Sequence, residues 1–161
     1  MANLKTIQKP NSKLAMMILA GIVGTIAFDA SMYADIAITG VQLDIIELMG
    51  ILTVGESEYA QIVGHVVHFV NGIGLALLFG YVALPISKKI IKLPIIVYAL
   101  AFSLIENTIA VWLVMLPLLG AGIAGVNIAP EVALMTFSRH IIFGVVLGGV
   151  FGLVLRKEST K

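Results

Sequence analysis

Five side chains able to bind metals or move protons lie inside otherwise apolar stretches: His65 and His68, His140, Glu106 and Asp29. Imidazole and carboxylate together suit zinc, copper, iron or nickel, so these five form a candidate non-haem metal site. His68 and His140 could instead ligate one haem b from facing helices, with neighbouring glycines making room for the macrocycle. Intramembrane acids and histidines also mark proton relays and small-solute routes. The least specific chemistry is mutual: Arg139 pairing an acid and Glu106 bonding a histidine would neutralise every buried charge. Asp35, Asn71, Asn107 and Arg139 complete the polar set. His-x-x-His on an apolar helix is a weak ligand signature, and no phosphate loop, nucleophile elbow or zinc-protease motif is present.

The elements that must position these residues are long and apolar. Of 161 residues, 60% are hydrophobic and 12% charged, and the mean hydropathy is +1.08. A soluble domain is roughly half apolar and about a quarter charged. With no cysteine, disulfides, thiolate metal sites and cysteine nucleophiles are excluded. Four segments reach the roughly 20 residues needed to cross a bilayer, at about 14–39, 60–84, 93–119 and 132–155. Pro85, Pro94, Pro117 and Pro130 punctuate their ends, as expected of a residue tolerated in a first turn and disfavoured inside. The first segment is too long for a signal-peptide core and carries Asp29 and Asp35, so it is expected to remain as a span.

Charge gives the expected orientation. Lys5, Lys9, Lys13, Lys88, Lys89, Lys92, Arg156, Lys157 and Lys161 flank one set of span ends; Asp44, Glu47, Glu56, Glu58 and Glu131 occupy the opposite loops. The positive-inside rule then predicts a multi-pass plasma-membrane protein with both termini cytoplasmic. The partners this implies are the lipid bilayer and other membrane subunits or further copies of the chain, not nucleic acid.

The chain also resembles itself. "HFVNGIGLALLFGYV" (His68–Val82) aligns without gaps on "HIIFGVVLGGVFGLV" (His140–Val154) at an offset of 72, with six of fifteen positions identical, and "GILTV" meets "GIAGV" at the same offset. The expected architecture is all-α: one membrane domain, 1–161, a four-helix bundle of two parallel-repeated hairpins, roughly 1–86 and 87–161. Small residues recur every four positions at Gly72, Ala76 and Gly80 and at Gly144, Gly148 and Gly152. Helices in lipid associate through close packing of such strips, so the second span is expected to pack on the fourth along them. Estimating depth at 1.5 Å per residue puts every ionisable residue of the spans at mid-depth or outward, above an apolar base. Trp112 and Tyr59 are expected at the outer interface. "VQLDIIELMGILTVGESE" is expected to form a short helix on the membrane surface, and "GAGIAGVNIAPE" a re-entrant segment or tight loop.

"RHIIFGVVLGGVFG" resembles the last helix, and "GHVVHFVNGIGLALLFGYV" the second, of a family of small uncharacterised four-helix membrane proteins of bacteria and archaea. The resemblance implies a fold and a membrane setting, and no particular activity. An accessory subunit of an archaeal membrane oxidase or monooxygenase would look the same. The reading favoured by the residues is an accessory or scaffolding subunit of a membrane complex, possibly of respiratory type being one form of it; a haem- or metal-binding redox protein and a proton-coupled or small-solute transporter acting as an oligomer are the alternatives.

Overall fold

A computed structural model describes residues 10–159, with side chains for residues 13–153. The chain forms α1 (Pro10–Thr39), α2 (Ile45–Val54), α3 (Ala60–Ile90), α4 (Ile95–Leu118) and α5 (Val132–Ser159), with no strand among the described residues. Four of them, α1, α3, α4 and α5, are long and apolar enough to span a membrane, as the sequence predicts. Large aliphatic side chains such as Leu19, Ile26, Ile62, Val66, Ile105 and Leu134 stand exposed on the flanks. That surface suits lipid, which unlike water carries no penalty for apolar exposure.

The four spans form an incomplete ring. α1 lies between α3 and α5, and α5 lies between α1 and α4. The fourth seam, α3 with α4, is closed only toward the end where the termini lie, by the connecting turn and by Phe79 against Phe102 (ring centroids 5.5 Å apart). Tyr98 fastens that turn: its hydroxyl accepts from the Leu93 amide at 2.8 Å and donates to the Ile91 carbonyl.

The small-residue strips are used differently from the expectation. Gly72 faces Thr25 and Gly21 of α1, and a methyl group on Gly21 would come within 2.6 Å of the Ile73 Cα. Gly144 and Gly148 face Ala99, Ser103 and Ile96 of α4. Gly80 abuts Met17 and Phe151, Ala76 is buried, and Gly152 touches nothing within 4 Å. The strips therefore close each hairpin on itself; they do not join α3 to α5. A short connection obliges successive helices to run antiparallel side by side, so the closest approach falls within a hairpin.

Prolines reshape two spans. α3 continues through Pro85 to Ile90 instead of stopping at Leu84, because a π-helical stretch at Phe79–Ala83 absorbs the lost hydrogen bond and the ring's bulk. A longer one, Asn107–Met115, precedes Pro117 and begins one residue beyond Glu106. Such wide turns often sit at functional positions. Pro94 precedes α4 and Pro130 precedes α5, as the sequence predicts.

α2 is also relocated. Asp44 caps it through its side chain, accepting from the amides of Ile46 (2.9 Å) and Glu47 (3.1 Å), and Gly55 ends it at φ 75°. It lies on α3, not flat on a membrane surface. Gly50 and Gly64 bring the two backbones together: a Cβ on either would fall within 2 Å of a carbonyl oxygen, of Ala60 and Ile46 respectively. "GAGIAGVNIAPE" forms a tight loop, with Ala124 at φ 55° and Asn127 donating from its side chain to the Gly120 carbonyl.

Candidate functional site

Two apolar clusters bracket the polar residues. Met17, Ala76, Phe79, Leu147 and Phe151 fill the half of the bundle nearest the termini. Met32, Ile46, Leu116 and Val132 pack beneath the loops at the opposite end. Between them lies a cavity of about 220 Å³.

Each spanning helix contributes to its wall: Thr25 and Phe28 from α1, His68, Asn71 and Leu75 from α3, Glu106, Ala110 and Val111 from α4, Thr136, His140 and Phe143 from α5. α2 supplies Ile45 and Met49. Asn71 and Ala110 are exposed, on either side of the open α3–α4 seam.

The ionisable residues resolve into three pairs. His68 Nδ1 lies 2.9 Å from Asp29 Oδ1, and His140 Nε2 lies 2.9 Å from Glu106 Oε2. Arg139, fully buried, donates to Asp35 from Nε (2.7 Å) and Nη2 (2.5 Å) and from Nη1 to the Leu43 carbonyl (3.0 Å). This fork holds α5, α1 and the α1–α2 connection in one register. A guanidinium is suited to it because its donors match a carboxylate in a plane.

The two histidine pairs differ from the arginine fork in geometry. They have the separation of hydrogen bonds without the alignment, so Asp29 Oδ1, His68 Nδ1 and Glu106 Oε2 are buried with no in-line partner. The amide of Asn107, wholly buried, also has both ends free. Buried polar atoms without hydrogen bonds are costly.

The neighbourhood fixes one proton. His140 Nδ1 is 2.6 Å from the Thr136 carbonyl, which can only accept, so Nδ1 carries hydrogen. Nε2 then meets Glu106 either as acceptor from a carboxylic acid or as donor from an imidazolium. In both forms one proton lies between them and the pair is neutral. Ser103 donates to the His140 carbonyl at 2.7 Å, fixing α5 against α4 at this level.

The geometry bears directly on a cofactor. Phe28 stands edge-on to both imidazoles, 5.0 Å from His68 and 5.2 Å from His140 between ring centroids. It occupies the space that a macrocycle ligated by both histidines would need. The cavity is also smaller than the roughly 300–1,000 Å³ typical of sites for drug-sized ligands, and a haem does not fit these residues. Among the described residues no three of the His, Asp and Glu side chains are grouped to hold one metal ion. The five candidate ligands divide into two His–acid pairs with His65 outside the cavity wall.

Several contributors carried no recognisable signal in the sequence. Phe28 looks like any lipid-facing aromatic until both imidazoles are placed beside it. Thr136 orients His140 through its carbonyl and accepts from Trp112 Nε1 at 2.8 Å. Trp112 therefore turns its polar edge into the bundle, while Tyr59 is exposed. Ile45 and Met49 reach the cavity only because α2 folds inward.

No curated protein and no solved structure matches the chain. Its resemblance to small four-helix membrane proteins does have a counterpart among family profiles, one that spans all four long helices. Residues 12–161 match the family of unknown function DUF6789, and the chain belongs to it.

Proposed function

We propose that this is a multi-pass plasma-membrane protein, with cytoplasmic termini, whose cavity receives a small solute from the outer half of the bilayer. The observation that carries the reading is the set of buried, unaligned polar atoms at one cavity: His68 Nδ1, Asp29 Oδ1 and Glu106 Oε2. A purely structural network is expected to satisfy its members, as the Arg139 fork does. Unused capacity beside a cavity is what a polar ligand would consume. The test is a thermal-shift screen of small polar fragments on the full chain in mild detergent. At least one fragment should raise Tm in the wild type and not in Ala110→Phe, which fills the cavity; no such fragment would count against the reading.

A second reading, an accessory or scaffolding subunit, draws support from the internal neutralisation of all three pairs. It predicts migration with partner subunits, or as a homo-oligomer, in native gels of solubilised membranes. Migration as a lone monomer would weaken it. Transport of the solute by an oligomer extends the first reading, and reconstituted vesicles should then show a flux abolished by Glu106→Gln.

A further inference from the structure

The character of the cavity points to a chemical class of ligand, an inference that rests on the solute-binding reading above. Around it stand three carboxylates, Asp29, Asp35 and Glu106, and one guanidinium, Arg139. With carboxylates ionised, the cluster carries −2 if both imidazoles are neutral and 0 if both are protonated. No state in that range is positive, so an anion has nothing to meet. α2 adds only Ile45 and Met49 to the wall, and His65 lies outside it.

The unaligned atoms agree with that sign. Asp29 Oδ1 and Glu106 Oε2 are acceptors when ionised, and His68, 94% buried by its 6% exposure, presents its ring to the cavity. What is missing is a donor carrying positive charge. The rest of the wall is mostly apolar, with the Phe28 and Phe143 rings, Leu75 and Val111 among it. An inorganic cation would need a shell of oxygens that this wall does not supply. A volume of about 220 Å³ corresponds to about seven waters at roughly 30 Å³ each, room for a short apolar body. Outside, the loops carry Asp44, Glu47, Glu56, Glu58 and Glu131 and no lysine or arginine, a field that concentrates cations.

We propose that the cavity is a binding site for a small organic ammonium ion. Its head sits at Glu106, within reach of the His68–Asp29 pair, and its hydrocarbon part lies against Phe28 and Phe143, whose ring faces attract cations. Asn71 and Thr136 offer further acceptor oxygens in the same wall.

The experiment compares three molecules of one shape: cyclohexylammonium, cyclohexanol and cyclohexanecarboxylate. Trp112 is the sole tryptophan and is bonded to Thr136 of the cavity wall, so its emission reports occupancy in the full chain in an uncharged detergent. The ammonium should bind at least about tenfold more tightly than the alcohol, the margin expected of a charge-assisted hydrogen bond, and the carboxylate should not bind. Glu106→Gln should remove that margin while leaving the alcohol unaffected. If this variant does not fold, the wild-type series decides alone. Equal or tighter binding of the alcohol would overturn the ammonium assignment and leave a solute-binding cavity standing. Binding of none of the three would remove both readings. Competition by sodium or potassium chloride, but not by choline chloride at equal ionic strength, would reassign the site to an alkali ion and overturn the proposal.

Discussion

Arg139 and Asp35 form the aligned, bidentate member of the three buried pairs, and their loss should be felt most in stability. Arg139→Met leaves Asp35 without its partner, and breaking a buried pair from one side typically costs about 3–5 kcal/mol. The expected outcome is a marked fall in the unfolding midpoint in detergent, with much of it recovered in the double variant Arg139→Met/Asp35→Leu. Additive losses would show that the pair is not coupled. His65 against His68 shows what could be read at this scale in advance. The sequence identifies His68, His140, Glu106, Asp29 and Arg139 as polar residues at compatible depths. It does not say which histidine meets which acid, because that depends on the rotation of each helix and on the choice of neighbours. Three residues along an α-helix turn by about 300°, so His65 and His68 differ by about 60° in direction. That offset is enough for one to join the cavity wall and the other to miss it.

Backbone proximity governs the next scale. A branched side chain on Gly148 would meet the Ile96 backbone, where even a Cβ falls at 2.6 Å, whereas Gly149, its neighbour in sequence, has nothing within 4 Å. Gly148→Leu should therefore destabilise the α4–α5 hairpin by about 1–3 kcal/mol or more, as overpacking does. Gly149→Leu should leave thermal stability nearly unchanged, and equal effects at the two positions would contradict the packing described. The four spans were legible from hydropathy and length alone because a bilayer dictates both. The course of α3 beyond Pro85 was not, since the π-helical stretch that accommodates the proline has no composition of its own. Nor was the inward fold of α2: its apolar residues fit a membrane surface as well as a bundle, and the deciding contact is a glycine pair, Gly50 with Gly64, on separate helices.

For the molecule in its membrane, the lysines predict an orientation that a topology assay can read. Fusions of alkaline phosphatase and of a cytoplasmically fluorescent protein to the C-terminus should give fluorescence without phosphatase activity, and the reverse pattern would invert the assignment. Aligned residues occupy matching places in the two hairpins: His68 and His140 each meet an acid of the preceding span, and Gly72 and Gly144 each press on that same span. The hairpins are unlike in their outer connections, a helix in one and a tight loop in the other.

The distribution of the three pairs has a mechanical meaning. Asp29–His68 spans α1 and α3, Asp35–Arg139 spans α1 and α5, and Glu106–His140 spans α4 and α5. Every closed seam thus carries one electrostatic latch, and the seam between α3 and α4 carries none. Deforming the bundle elsewhere must separate opposite charges in a low-dielectric setting, while parting α3 from α4 separates none. The protein consequently has one soft direction, a lateral one, facing the lipid. The absence of cysteine makes this measurable without background labelling. Spin labels on the exposed positions Val70 and Ile109 should give a broader distance distribution in bilayers than labels on Val23 and Val145, which report the latched α1–α5 seam. Equal widths would mean that the unlatched edge is held by something other than charge.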